Sequence, residues 1–185
     1  MLTEEMKSPD ADERFQHLFQ RHYGDIHAYC SRRIGHSDAD DVAAEVFATA
    51  WRRFDDIEWR TVEPWLYGIA RRVLANRWRS VRRRNELTQR IAGLAASLPD
   101  SPEVQVVRRD VDELVTNALG RLRASDREIL MLAAWEELSA AEIAGALSVS
   151  TSAAEQRLHR AKVRFATALD HASSRSRPGA GGAEH

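Results

Sequence analysis

The amino-acid sequence predicts an all-α fold: two small helical domains joined by a flexible linker, the C-terminal one containing a helix-turn-helix. Apolar residues recur at helical spacing along most of the chain, and no sustained alternation of apolar and polar residues indicates a strand. The helix-breaking run Pro99-Asp100-Ser101-Pro102 lies near the middle of the chain. Beyond it, serine–glutamate pairs at capping-box spacing mark further helix starts.

The first domain is predicted over 13–84, and the polar N-terminus, 1–12, is expected to be disordered. A first helix covers 13–34, because apolar residues recur there near helical spacing. Gly35 is expected to end this helix.

Two further helices complete the first domain. The second begins at Ser37 or Asp38, whose short oxygen side chains can cap free N–H groups, and it continues to Phe54. The third begins at Glu63-Pro64, since proline suits the first helical turn. The segment 85–105 is predicted to be the linker, with partial helix near its start.

The second domain is predicted over 106–171 as four helices, the first of them at about 106–119. The other three starts are marked by capping boxes, in which a serine and a glutamate satisfy each other's end of the first turn. The boxes are Ser125/Glu128, Ser139/Glu142 and Ser152/Glu155. The tail, 172–185, is rich in Ser, Gly and Ala and is expected to be disordered.

A helix-turn-helix is predicted within 139–165. A short helix, Ala140–Leu147, precedes a turn at 148–150 and a longer helix from Thr151, an arrangement that places the second helix in the major groove of DNA. The cations on this second helix are Arg157, Arg160, Lys162 and Arg164, with His159 beside them. Leu158, Ala161 and Phe165 are expected to face the core. A helical hairpin with a basic, solvated face would give the same pattern.

Charge is segregated along the first domain although the net charge of the chain is −1. Between Glu63 and Glu86 there are seven arginines and no acidic residue, whereas Asp38–Glu63 has an acidic bias. Such segregation favours one surface for a phosphate backbone and another for a basic protein partner, although solvated helix faces also carry charge runs.

The arginine-rich helix carries a polar stripe opposite its apolar face. The stripe consists of Arg72, Asn76, Arg79 and Arg83. Their spacing of four, three and four residues places them on one face of a helix, where cations can hold phosphates. Trp59, in the preceding loop, is a candidate for stacking on an exposed base. For Trp65 and Trp78, packing in the core explains the sequence equally well.

Three segments together resemble the sigma-70 family of RNA polymerase sigma factors. Asp38–Trp51 is similar to its core-polymerase-binding segment, Pro64–Arg84 to its −10-element helix, and Ser139–Phe165 to its −35-recognising helix-turn-helix. The segments occur in the family's order and cover roughly 13–170. The short linker leaves no room for the middle domain of larger members, so the chain resembles the extracytoplasmic-function group.

The resemblance implies an alternative sigma factor, with no active site, cofactor or metal, that acts in the cytoplasm and opens promoter DNA. Its implied partners are RNA polymerase core and promoter DNA, and also an anti-sigma factor, although no residue identifies one. The implied core-binding residues are Asp41, Glu45, an exposed Phe47 and Trp51. The implied −10 residues are Trp59, Arg72, Asn76, Arg79 and Arg83. The implied −35 residues are Glu155, Arg157, His159, Arg160 and Lys162.

Three positions depart from the family pattern. Ala44 stands where many relatives have Gln, and Arg72 where Asn is common, so the −10 base preference does not transfer. Glu155 stands where a basic residue is frequent. It serves either as a capping partner or as an acceptor for a cytosine amino group.

Two other classes of function fit the sequence less well. A stand-alone helix-turn-helix regulator explains the second domain, but it leaves the acidic helix and the arginine-rich helix without a role. An enzyme is disfavoured, because no phosphate loop, nucleophile motif or zinc spacing is present. Membrane insertion is not expected either, because no apolar run approaches the roughly 18–20 residues of a span. The single cysteine, Cys30, excludes an intramolecular disulfide and favours a reducing compartment.

Overall fold

The computed structural model describes residues 9–54, 57, 61–92 and 110–176. Over these residues the chain forms seven α-helices and no strand, so the all-α prediction is confirmed. The helices are α1 (Pro9–Ile34), α2 (His36–Arg52), α3 (Val62–Ala92), α4 (Asp110–Gly120), α5 (Ala124–Ala134), α6 (Ala140–Leu147) and α7 (Thr151–Ser176). None of these helices combines the length and apolar character needed to span a membrane.

The chain divides into two compact units, one with α1, α2 and α3, the other with α4, α5, α7 and most of α6. In the first unit α2 packs against both α1 and α3. Its core includes Leu18, Ile26, Tyr29, Val42, Val46, Leu66, Ile69 and Leu74. In the second unit α7 packs against α4 and α5. Its core includes Ile129, Leu132, Ile143, Ala154 and Ala161.

The chain reverses between α1 and α2 at Gly35, as predicted. Gly35 has φ 81°, in the left-handed region that favours glycine, and its N–H donates to the Ser31 carbonyl over 2.9 Å. The predicted caps at Ser37 and Asp38 are wrong, because α2 already begins at His36 without a side-chain cap. Asp38 instead lies in the first turn, where the helix dipole favours a carboxylate.

Three helices extend beyond their predicted ends. Helix α1 begins at Pro9, so the last four residues of the segment 1–12 are helical rather than disordered. Helix α3 continues to Ala92, well into the predicted linker, and α7 continues to Ser176, into the predicted tail. The partial helix expected at the start of the linker is therefore present as far as Ala92, but composition alone placed the ends of α3 and α7 too early.

One of the three predicted capping boxes is present, at the start of α6. The Ser139 N–H donates to Glu142 Oε2 over 2.8 Å, and the Glu142 N–H donates to Ser139 Oγ over 3.3 Å. The Ser139 hydroxyl also donates to Glu142 Oε2 over 2.6 Å. These hydrogen bonds to the carboxylate lower the pKa of Glu142, with the Ser139 side chain contributing most.

The other two predicted boxes are wrong. Ser125 lies inside α5, whose N-cap is Arg123 and has no side-chain hydrogen bond. Helix α7 begins before Ser152, because Ser150 Oγ accepts a hydrogen bond from the Ala153 N–H over 3.2 Å. Both helices therefore start two residues before the position that the serine–glutamate spacing indicated.

Candidate DNA-binding and protein-binding surfaces

The predicted helix-turn-helix is present with its predicted boundaries. Helix α6 ends at Leu147 and α7 begins at Thr151, with a three-residue turn between them. Ser148 adopts φ 55°, and the Val149 N–H donates to the Ala144 carbonyl over 3.0 Å, which satisfies a carbonyl at the end of α6. Ile143 and Ala144 are buried, as expected for the inner face of α6.

The buried face of α7 defines which of its residues point outward. Ala154, Ala161, Ala168 and Ala172 are buried, and Leu158 and Phe165 are partly buried, so the predicted core-facing side is confirmed. All five predicted DNA-contacting residues are exposed: Glu155, Arg157, His159, Arg160 and Lys162. The structure therefore leaves every one of them accessible to a ligand.

These exposed residues do not form a single stripe. At about 100° per residue, His159 and Arg160 lie on the outward side of α7. Arg157 lies on one flank of the buried face, and Glu155 and Lys162 lie on the other. A helix inserted into a groove offers its outward side to base edges and its flanks to the two phosphate backbones.

Sequence reasoning missed Gln156, which is exposed on the outward side of α7 next to Arg160. A glutamine amide can bind adenine through two hydrogen bonds. An uncharged polar residue gives no charge signal in the sequence, and it becomes a candidate only when the buried face of the helix is known.

Arg164 differs from the other cations of α7. It was expected to add a positive charge to the DNA-contacting face, but its guanidinium pairs with Asp126 of α5 over 2.6 Å.

Arg127, also on α5, donates from Nε to the Leu119 carbonyl over 3.0 Å and so ties α5 to the end of α4.

The polar stripe of α3 is confirmed as an exposed surface. Arg72, Asn76, Arg79 and Arg83 are all exposed. The opposite face, which includes Leu66, Ile69 and Val73, is buried. Arg79 donates a hydrogen bond to Asn76 Oδ1, so these two side chains are held together on the surface.

The tryptophans near α3 have different environments. Trp65 is partly buried and Trp78 is 37% exposed, so packing accounts for Trp65 better than for Trp78. The predicted base-stacking residue, Trp59, lies outside the described residues.

The acidic surface of α2 consists of its exposed carboxylates. Asp41 and Glu45 are exposed, one helical turn apart. The expectation that Phe47 is exposed beside them is wrong, because it is only 3% exposed and its ring packs against Phe19, with centroids 4.8 Å apart. Phe47 follows Val46 on the face that α2 buries. Sequence spacing alone placed it on the edge of that face.

Aromatic and polar contacts join the same part of α2 to α1. The Trp51 ring is partly buried and lies edge-on to Phe15, with centroids 4.9 Å apart. Tyr23 Oη donates to Asp40 over 3.1 Å, and His27 Nε2 lies 3.0 Å from the same carboxylate. Partial burial raises the pKa of Tyr23, and so do the hydrogen bond that its hydroxyl donates to Asp40 and the negative charge of that carboxylate. These contacts hold the acidic helix α2 against α1.

Two family profiles match the chain, one on each side of its middle. The profile described as Sigma-70 region 2 matches residues 18–84, which include α2 and most of α3. The profile described as Sigma-70 region 4 matches residues 112–165, which include the helix-turn-helix.

Named sigma factors are similar to this chain along most of its length. RNA polymerase sigma factor CnrH of Cupriavidus metallidurans is 32% identical over 166 residues, which cover 84% of this chain and 86% of that protein. Sigma factor NccH of Alcaligenes xylosoxydans is 31% identical with the same coverage. Sigma factor YlaC of Bacillus subtilis is 29% identical over 82% of this chain and 89% of that protein.

Solved structures share the fold. CnrH in complex with the cytosolic domain of CnrY is 26% identical with a TM-score of 0.57, over 86% of this chain and 90% of that one. The sigma factor RpoE from Bartonella quintana, in complex with the anti-sigma factor NepR, is 20% identical with a TM-score of 0.59, over 85% of this chain and 98% of that one.

Proposed function

This chain belongs to the sigma-70 family, in its extracytoplasmic-function group of alternative sigma factors, and we propose how its residues divide the work of transcription initiation. In that role it is a DNA-binding specificity subunit rather than an enzyme. It binds RNA polymerase core through the first unit, recognises a −35 element with the second, and helps to open DNA at a −10 element. Its site of action is then the cytoplasm, where polymerase and promoters meet.

Recognition of the −35 element is assigned to α7, and the observation that carries this is the helix-turn-helix with an exposed, cationic second helix. Arg160 and Gln156, on the outward side, contact base edges. Arg157 and Lys162, on opposite flanks, contact phosphates. Glu155 lies on the same flank as Lys162, two turns nearer the start of α7. It is not the capping partner of α7, so it is available to accept a cytosine amino group.

Contact with the −10 region is assigned to the polar stripe of α3. Its three arginines can hold the phosphates of a strand while the duplex opens, and Asn76 can accept or donate hydrogen bonds at a base edge. Because Arg79 already contacts Asn76, these two residues act together. Trp59 remains the proposed base-stacking residue of the adjoining loop.

Binding to polymerase core is assigned to the exposed carboxylates of α2. Asp41 and Glu45 supply the charge for a basic partner. Phe47 and Trp51 contribute indirectly, because their ring contacts with α1 hold α2 in place. The proposed contact surface is therefore smaller than the set of residues that the sequence singled out.

A protein inhibitor is a further proposed partner. In the solved structures RpoE is bound to the anti-sigma factor NepR, and CnrH is bound to the cytosolic domain of CnrY. By likeness, we expect an anti-sigma factor to bind this chain and compete with polymerase. The stand-alone regulator is not favoured, because it gives no role to the region 2 match over 18–84.

Selection of DNA fragments in the presence and absence of core polymerase tests this proposal. The full chain is incubated with a genomic fragment library, and bound fragments are sequenced. With core present, we expect enrichment of fragments that share two short elements at a fixed spacing. Equal, sequence-specific enrichment by the chain alone, without binding to core, would establish the stand-alone regulator instead.

A further inference from the structure

A charged contact joins α7 to its supporting helix α5. The Asp126 carboxylate lies 2.6 Å from the Arg164 guanidinium, and the Asp126 side chain is 12% exposed against 49% for Arg164. Asp126 also lies in the first turn of α5, where the helix dipole favours a negative charge. The carboxylate is thus held in place on α5, and the arginine reaches to it from α7.

The most deeply buried residues of α7 are small, and the larger Leu158 and Phe165 on the same side are only partly buried. Ala154, Ala161, Ala168 and Ala172 are each at most 9% exposed. Alanines let helices approach closely but form low ridges, and it is the fit of ridges into grooves that sets how one helix is rotated on another. A directional charged pair adds a constraint on rotation to the weak one that the low alanine ridges supply. Fixing register is also the best-attested role of such pairs.

We infer that Arg164 is a positioning residue for promoter recognition and not a contact to DNA. Its pair with Asp126 fixes the rotation of α7 and so sets which side chains face the base edges. This inference rests on the proposed role of α7 in −35 recognition. Arg157 lies on the same flank two turns earlier and forms no ion pair within the described part of the chain, so it is the matched phosphate-contacting residue.

Salt dependence separates the two roles. Holoenzyme made from core polymerase and the full chain is titrated with a promoter duplex, and with a duplex whose −35 element is scrambled, at several salt concentrations. Arg157→Ala should reduce the slope of log K against log salt by about 0.9, as expected for one lost phosphate contact. Arg164→Ala should leave that slope unchanged. It should reduce the preference for promoter over scrambled duplex about tenfold, comparable with loss of one base contact.

The preference is a ratio of two affinities measured on one sample, so a fraction of unfolded variant cancels from it. An exchange variant, Asp126→Arg with Arg164→Glu, restores the pair in reverse and should regain preference over Arg164→Glu alone. If Arg164 contacted phosphate, the exchange would place a carboxylate against DNA and regain nothing.

A slope reduced by about 0.9 in Arg164→Ala would identify a phosphate contact and overturn the inference. An unchanged preference in that variant, or no recovery in the exchange variant, would also overturn it. Failure of the proposed function gives a different result from failure of this inference. In that case the unmodified holoenzyme itself would not distinguish the promoter from the scrambled duplex.

Discussion

Single residues of α2 and α7 separate into those that support a surface and those that form it. Phe47 and Arg164 lie beside candidate binding residues in sequence, yet the first is buried against Phe19 and the second is paired with Asp126. Asp41 and Gln156 are exposed on the same two helices. Sequence periodicity identifies the two faces of a helix, but residues at the edge of a face are assigned only by the neighbouring helix.

Charge reversal on α2 tests the proposed polymerase contact. The double variant Asp41→Arg, Glu45→Arg should keep its helical content and thermal stability, because both side chains are exposed, and should lose binding to core in a pull-down. The control is Asp12→Arg, Glu13→Arg, which makes the same change in charge at exposed positions of α1. Unchanged core binding by the first variant, or equal loss in both, would refute the assignment.

Truncation of Gln156 tests the proposed base contact. Gln156→Ala should relax preference at one base pair of the −35 element by about 1–3 kcal/mol, with an unchanged salt slope, because a base contact and not a phosphate contact is lost. Binding by holoenzyme to duplexes with each single −35 substitution gives the measurement. Gln20→Ala, an exposed change of the same kind on α1, is the control. An unaltered preference at every position would contradict the assignment.

His22 should make the first unit sensitive to mild acid. It is 7% exposed, and burial, together with the nearby Arg21, lowers its pKa below the ordinary value of 6.5. The unfolded chain then binds a proton before the folded one does, so stability is complete above that ordinary value and falls as the pH decreases below it. Urea unfolding from about pH 7.5 to about pH 5.5 should show a larger loss of stability for the unmodified chain than for His22→Gln. Equal losses would contradict this role of His22.

At the scale of elements, the helix-turn-helix was predictable and the helix starts were less so. The limits of α6 and the turn at 148–150 were predicted correctly, because a short apolar helix, a brief turn and a long basic helix fix where that turn lies. The box at Ser139 was correct and those at Ser125 and Ser152 were not. Serine and glutamate three apart also occur inside a first turn, and only the backbone shows which residue stands at the cap.

Loss of an arginine from α3 and loss of one from α7 should impair different steps of transcription initiation. Arg79→Ala removes a cation beside the proposed melted region, so it should slow strand opening more than duplex binding. Arg160→Ala should weaken recognition of the duplex itself. Holoenzymes with each change are compared on duplex templates and on templates with a pre-melted −10 region. Pre-melting should restore transcription substantially for Arg79→Ala and little for Arg160→Ala, and an equal response would refute the division.

At the scale of the whole molecule, the chain supplies two compact units, each with its own core and its own cationic helix. The two family profiles match residues 18–84 and 112–165, and a sigma factor relative aligns along 84% of the chain. The fold class was predictable because helical periodicity is continuous through both units. The limits of the predicted linker, 85–105, were harder to predict, because α3 continues through its first eight residues. Beyond Ala92 the boundary of the linker remains a prediction.

Transcription from genomic DNA by core polymerase and this chain, with mapping of the start sites, tests the central claim most directly. The account predicts start sites that depend on the chain and share two upstream elements, near −35 and −10, at a constant spacing. Start sites identical to those of core alone, or chain-dependent sites without shared elements, would contradict it.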